Sequence, residues 1–436
     1  MSAPYIPDDF NISHLIREAT GGEIKSLQSA GRDEFRSTFS ITLEDGRQYL
    51  LRLSRTSSVV LETEVNTMKY ITKETSIPVP RILDAGFTTA TDSSSTFYVL
   101  MEKIPGVALD TVFGTLSQPQ QTAIVAQLAK YMFELFQHRF PTIGSITRQD
   151  DSSEEFAIGP IVTRPFYIDG RSKQPLHRGP FNSAKSYYLA CAQRELDCCR
   201  VLFTQDSSLP GYQRNLEDVQ LQVERCVGLL HDLITRCHGL DDDDKEMAPF
   251  SLDIHDIGLK NILVSRDDMA KIVAIIDWQF LSTKPLWSCA RLPSWLRPSI
   301  FNHSNGESDR LSARFRAEIA RLDGLDSIFI RALDSDDTRQ TLDDFSDYDA
   351  FKDGFLLLPA LENILATLPG QEDYAALSAL LDPSTLPGRV GRINLITRGS
   401  NSMFLAMSRS VSPAPPTTNQ GLHEQESSPQ SEVAAF

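Results

Sequence analysis

Several features are scarce in this sequence, and each scarcity excludes something. No run of about 18 apolar residues occurs, so no membrane-spanning helix is expected. The best apolar stretch, from Phe355 to Leu358 and onward, is broken by Pro359 and Glu362. No basic cluster stands out against a net charge of −16. A general nucleic-acid binder carries a positive stripe that neutralises phosphates, so neither nucleic acid nor membrane is an expected partner. No C-x-x-C pair exists among the six cysteines, Cys191, Cys198, Cys199, Cys226, Cys237 and Cys289. Cys237-His238 stands alone, without partners at zinc-ligand spacing. The thiols therefore read as reduced and mostly packed, as in a reducing compartment. Met1 to Phe10 holds Asp8 and Asp9 and lacks an apolar signal core, so neither a secretory nor a mitochondrial leader is expected. A cytoplasmic location is therefore the expectation.

What is present suits a folded chain of more than one lobe. With 436 residues the chain is too long for one compact core. Thr38–Leu43 and Gln48–Leu53 are β-rich runs around Asp45-Gly46, a dipeptide that tolerates positive φ and predicts a hairpin. Leu61–Thr72 predicts a helix, with Val65, Met68 and Ile71 on one stripe. Pro78 and Pro80 stop it. Phe97–Met101 reads as a buried strand that Pro105-Gly106 ends.

Beyond it the chain turns helical. Ile124, Leu128, Tyr131, Leu135 and Phe136 mark one helix face. A Pro- and Gly-rich segment, 144–179, precedes helices predicted over 184–202 and 216–237. Asp241–Lys245 reads as a solvated acidic loop. Asn261–Val264 and Ile272–Ile276 are two short apolar strands around the polar turn Arg266, Asp267, Asp268. Helices fill 310–368. After Ser408 the composition is rich in Ser, Pro, Gln and Glu, too polar to bury a core, and disorder is expected there.

Chemistry concentrates in Ser251-Leu252-Asp253-Ile254-His255-Asp256-Ile257-Gly258-Leu259-Lys260-Asn261 and in Ile275-Ile276-Asp277-Trp278. An aspartate sits five residues before an asparagine that opens an apolar strand, and a second aspartate ends the next strand. Phosphoryl transfer needs one carboxylate for the nucleophile's hydroxyl proton and two oxygen ligands that hold Mg²⁺ against a triphosphate.

These segments resemble the catalytic loop and metal aspartate of the aminoglycoside phosphotransferase (choline-kinase-like) family, within the protein-kinase-like superfamily. Its pattern is H-x-D-x-x-x-x-N, then two apolar strands ending I-D-[WFL]. The resemblance implies Asp256 as catalytic base, with Asn261 and Asp277 as metal ligands. The family's first histidine falls on Ile254, and His255 comes one place late. Tyr49-Leu50-Leu51-Arg52-Leu53 resembles the strand that carries the nucleotide-contacting lysine, here Arg52, a bulkier and permanently charged fork. Glu64 looks like its helix partner, with Glu62 as the alternative. Thr75-Ser76-Ile77-Pro78-Val79-Pro80 resembles the family's T-x-I-P-V-P stretch. Phe97–Gly106 is similar to the adenine-holding hinge strand, in which the Glu102 carbonyl and Ile104 amide would meet the base. A phosphate-covering loop would lie near Ser29-Ala30-Gly31-Arg32-Asp33, with Gly31 its single glycine and no G-x-G-x-x-G. Phe140–Ser145 and Gly179-Pro180-Phe181 look like features of fungal members. The likeness covers about residues 24–110 and 250–290; beyond about 300 it extends only to helical character.

The expected fold is therefore α+β and bilobal, protein-kinase-like, with a small antiparallel β-sheet lobe and a larger, mainly helical lobe. The expected units are a nucleotide lobe 1–104, a helical lobe 105–407 carrying the catalytic loop 251–280, and a tail 408–436. The family implies transfer of the γ-phosphate of ATP, with Mg²⁺, to a hydroxyl of a small-molecule acceptor. A cationic acceptor would suit an acidic large lobe. The acceptor and the choice between ATP and GTP stay open. Two alternatives stand beside it: a non-catalytic binding or regulatory protein of the same fold, and an atypical protein kinase. D-F-G and A-P-E are missing, which counts against the latter.

Overall fold

Strand alternation builds the first sheet. A computed structural model describes residues 6, 10–32, 36–54, 58–87, 96–148, 155–202, 216–241, 244–254, 257–297, 306–334, 338–348 and 350–367. The tail expected after Ser408 lies outside them. Helix α1 (Ile12–Thr20) leads into β1 (Ile24–Arg32), β2 (Arg36–Leu43) and β3 (Gln48–Ser54), followed by α2 (Ser58–Glu74), β4 (Ile82–Phe87) and β5 (Phe97–Glu102). The strands form one antiparallel sheet in the order β1-β2-β3-β5-β4. Burial alternates along β2, with Ser37, Phe39, Ile41 and Leu43 buried. The last three pack with Leu51, Leu53 and Leu100 against Ile12, Leu15 and Ile16 of α1.

The expected hairpin is present, with Thr42 opposite Gln48 and Gly46 at φ 87°. Left-handed backbone there costs glycine little. α2 is longer than its predicted core and buries Leu61, Val65, Met68 and Ile71 in the main core, together with Val99 and Met101 of β5. Each such side chain contributes roughly 1.5–3 kcal/mol through burial.

After the hinge the chain forms β6 (Gly106–Ala108), α3 (Leu109–Val112) and α4 (Gln118–Phe136). A capping box of Ser117 and Gln120 starts α4. The Pro/Gly-rich segment contains an antiparallel hairpin, β7 (Ser145–Arg148) with β8 (Phe156–Gly159), and the short helix α5 (Arg164–Tyr167). Two stretches singled out in the sequence meet here: Ile143 and Phe181 exchange backbone hydrogen bonds of 2.8 Å in both directions. Helices α6 (Ala184–Leu202) and α7 (Leu216–Arg236) come next, at their predicted places.

The remainder comprises β9 (Phe250–Leu252), β10 (Ile262–Ser265), β11 (Ile272–Ile275), β12 (Thr283–Pro285), α8 (Leu286–Cys289), α9 (Gly306–Asp323), α10 (Ile328–Asp334), α11 (Thr338–Ser346) and α12 (Ala350–Thr367). Pro359, which breaks the apolar run in the sequence, lies inside α12. The architecture is α+β, a small antiparallel sheet lobe beside a mainly helical portion. None of the described helices is long and apolar enough to cross a membrane.

Two of the small sheets position the acid-bearing segments. β11-β10-β6 joins the hinge exit to the hairpin that precedes Asp277, with Val264 opposite Val107. β12 pairs with β9, placing Thr283 opposite Leu252.

Candidate functional site

The β10–β11 hairpin carries two of the expected ligands to one end. Ile262 pairs with Ile275, and the Ile276 amide donates to the Asn261 carbonyl at 2.8 Å. Asn261 therefore lies across from the residue that precedes Asp277. Ile275 also donates to the Pro78 carbonyl at 2.8 Å, so the Thr75–Pro80 stretch braces this hairpin. Glu134 holds that stretch in turn, accepting from the Ser76 amide and hydroxyl, each at 2.6 Å. Trp278 is 2% exposed and donates from Nε1 to the Ile275 carbonyl at 2.8 Å. With Trp278 pinned inward, the chain turns at Asp277 with φ 69°. A non-glycine residue there is strained, and such strain clusters at functional sites. The Asp277 side chain keeps 24% of its surface exposed.

Cations approach from the sheet. Arg52 is buried and its Nη1 donates to Glu64 Oε1 at 2.5 Å. Glu64, rather than Glu62, is thus the carboxylate that meets Arg52. Arg52 Nε is buried with no hydrogen-bond partner. A second guanidinium, Arg36, donates from Nη1 to Glu64 Oε2 at 2.8 Å and from Nη2 to Asp277 Oδ1 at 3.0 Å. Burial alone would raise the Glu64 carboxyl, but the Arg52 and Arg36 charges outweigh it and hold it below the ordinary carboxylate value.

Sequence reasoning passed over Arg36. The signal was strand alternation. Thr38 pairs with Arg52, so Arg36, two residues before Thr38, shares the face on which Arg52 lies.

The other expected residues are spread over the sheet and hinge. Gly31 lies within β1 at φ 139°, opposite Thr38 and beside a register shift after Ser29. Ser29 to Arg32 are thus strand, and Asp33 lies outside the described residues. Glu102 exchanges hydrogen bonds with Arg81: its amide donates to the Arg81 carbonyl at 3.0 Å, and its Oε1 accepts from the Arg81 amide at 3.2 Å. Ile104 is half-buried and its carbonyl accepts from Gly106 at 2.8 Å. Asp256 and His255 lie outside the described residues.

The segment that leads to Asp256 is firmly held. Ser251 donates to the Leu135 carbonyl at 2.7 Å, and Asp253 donates from its amide to the Ser282 carbonyl at 3.0 Å. Buried Lys284 stands 3.7 Å from Asp253 and 3.0 Å from Asp343. Asp343 also accepts from Tyr188, Ser288 and Arg291. This network ties β9, β12 and α11 together.

For a hard divalent cation the donor chemistry fits. Asp277 offers a carboxylate and Asn261 a carboxamide oxygen, the ligand types Mg²⁺ prefers. The Asn261 side chain hydrogen-bonds to none of the described residues. No group of three or more His, Cys, Asp or Glu side chains among the described residues could hold a metal.

Known proteins share parts of this sequence and fold. The family model described as "Phosphotransferase enzyme family" matches residues 28–179. A subtelomeric hrmA-associated cluster protein of Aspergillus fumigatus is 24% identical over 314 residues, 63% of this chain and 60% of that protein. Clavilactone A biosynthesis cluster protein Y of Ampulloclitocybe clavipes is 25% identical over 302 residues, 64% of this chain and 66% of that protein. The chain thus spans about three fifths of the length of the first of these curated relatives. Among solved structures, a candidate aminoglycoside phosphotransferase from Ralstonia eutropha aligns with 92% of this chain and 98% of its own, at 12% identity and TM-score 0.48. The streptomycin- and ATP-bound enzyme APH(2″)-IIa aligns with 92% of this chain and 99% of its own, at 10% identity and TM-score 0.43.

Proposed function

Taking as premise that residues 28–179 match the phosphotransferase enzyme family, we propose that this chain is an ATP- and Mg²⁺-dependent phosphotransferase acting on a hydroxyl of a small molecule. One observation carries the reading. A sheet cation, a helix carboxylate and the hairpin aspartate lie in one hydrogen-bonded chain, Arg52–Glu64–Arg36–Asp277. Phosphoryl transfer is mostly positioning and charge stabilisation, and these are the parts it needs.

In this reading Arg52 faces phosphate oxygens, and Glu64 keeps its guanidinium oriented. The orphaned Arg52 Nε is a donor available to them. The Ile104 amide donates to none of the described residues and suits the adenine edge, while the Glu102 carbonyl is its companion in the hinge. Gly31, beside the β1–β2 tip, leaves room for the phosphates, since a Cβ there would meet nothing within 4 Å. Asn261 and Asp277 would hold Mg²⁺, which supplies charge neutralisation at the β- and γ-phosphate oxygens. Asp256 takes the acceptor's hydroxyl proton as oxygen bonds to the γ-phosphorus, and the bond to the β–γ bridging oxygen breaks.

The division at the hinge, 1–104 against 105–407 with a tail 408–436, belongs to the same proposal. So does a cytoplasmic location, which six buried thiols support.

A second reading has its own observation. Arg36 neutralises Asp277, and an arginine stands where the family's lysine would, as in a kinase-fold module that does not catalyse. One titration separates them: melting temperature against ATP, GTP and Mg²⁺, for wild type and Asp277→Ala. A ligand that binds only the folded state raises the midpoint by mass action. A Mg²⁺-dependent rise with nucleotide, lost in Asp277→Ala, is expected, and it would justify a screen of hydroxyl acceptors for ATP consumption. No rise in wild type at millimolar ATP overturns the phosphotransferase reading in favour of the module.

A further inference from the structure

We propose that Arg36 is a built-in counter-ion of Asp277 that a divalent cation must displace, so that Arg36 sets how much Mg²⁺ nucleotide binding requires. The inference rests on the phosphotransferase reading above and assigns a role to a residue outside the family pattern.

Three observations carry it. First, the contact is specific. One guanidinium fork spans two carboxylates from different parts of the fold, Glu64 of α2 at 2.8 Å and Asp277 after β11 at 3.0 Å. Second, it is sheltered: the Arg36 side chain is 12% exposed and that of Asp277 24%. At such a depth charges are less screened than on an open surface. Third, it engages one oxygen of the carboxylate that a metal would need. Asp277 Oδ1 accepts from Arg36, and a divalent cation at that oxygen would face a guanidinium at contact distance. Two cations so placed repel, so metal binding and the Arg36–Asp277 bond oppose each other.

Glu64 explains why displacement is feasible. Arg36 retains its Glu64 contact through Nη1 while Nη2 lets go of Asp277, so the guanidinium never becomes a buried charge without a partner. Arg52 holds the other Glu64 oxygen throughout.

The test is a Mg²⁺ titration at fixed ATP, read as melting temperature, on wild type, Arg36→Met and Arg36→Lys. Methionine keeps the length and removes the charge. Lysine keeps the charge but not the two-pronged reach. Half-saturating Mg²⁺ should fall about fivefold in Arg36→Met, the worth of a partly sheltered ion pair, and by about half that in Arg36→Lys. The lysine variant carries the test alone if the methionine variant does not fold.

Wild-type nucleotide binding with an unchanged or raised Mg²⁺ requirement in the variants overturns this inference and leaves the phosphotransferase reading standing. No binding by any of the three proteins overturns both. Nucleotide bound by the variants but not by wild type supports this inference, with Arg36 then locking the site, and overturns the phosphotransferase reading of the wild-type chain.

Discussion

Glu64 is 1% exposed and carries a guanidinium on each oxygen. Removing one partner of a buried ion pair typically costs about 3–5 kcal/mol, because the remaining charge is left uncompensated. Glu64→Ala leaves buried Arg52 in that state while Arg36 keeps Asp277, so a loss of about that size is expected in urea denaturation. The pH dependence has a definite sign. The folded-state carboxyl titrates below its unfolded value. Its contribution is therefore fully present above the unfolded value and is lost as pH falls through the lower, folded one. Wild type should lose stability more steeply in acid than Glu64→Gln, compared by urea midpoints from neutral pH downward. Equal slopes would mean that Glu64 does not keep its charge when folded. The Arg52–Glu64 pair was legible through the family resemblance, which left Glu62 as the alternative. Arg36 was not, because its role depends on Asp277, 241 residues away.

Elements whose period is local could be read directly. The β2–β3 hairpin falls where Asp45-Gly46 puts it, and α6 spans its expected 184–202. The β7–β8 hairpin was hidden by the Pro- and Gly-rich composition around it, and its pairing is set by neighbours such as Phe181 and Thr283, which no local pattern shows. The acidic run shows the same limit. Expected as solvated loop, it gives Asp241 to the start of α6, where its carboxylate accepts from the Ala184 amide at 2.7 Å and the Lys185 amide at 3.2 Å. Asp244 bonds Arg339 at 2.7 Å. A helix N-terminus leaves amides without intrahelical partners, and a carboxylate there satisfies them and meets the positive end of the dipole. The partner is 57 residues away, so no capping motif announces it. Asp241→Ala should cost about 1 kcal/mol, seen as a lowered urea midpoint with an unchanged denaturant slope. A changed slope would point to a wider rearrangement than a lost cap.

At the scale of the molecule, the two faces of the first sheet belong to different cores. One packs α1 alone, while α2 and the inner side of β5 merge with the helical portion. Backbone bonds cross at Ile275–Pro78 and along β6–β10, and Arg36–Asp277 adds a charged tie. The thiols report on this coupling. All six cysteines are buried, and all lie between residues 191 and 289, away from the sheet in sequence. Burial pushes Cys191 up to about 11 and Cys226 up to about 12, so thiolate, the form that attacks a disulfide reagent, is scarce at neutral pH. Native protein should therefore leave Ellman's reagent nearly unreacted, and all six thiols should appear together with the loss of far-ultraviolet helix signal in urea. If Mg²⁺ and ATP join Arg52 of the sheet to Asp277 of the hairpin, they bind only the intact pair of lobes. The urea midpoint for thiol exposure should then rise with nucleotide, by a shift equivalent to the mass-action stabilisation of about 2.7 kcal/mol at a hundredfold excess over the dissociation constant. A rise in sheet stability without a shift in thiol exposure would show instead that the lobes unfold independently, with the nucleotide held by the sheet alone.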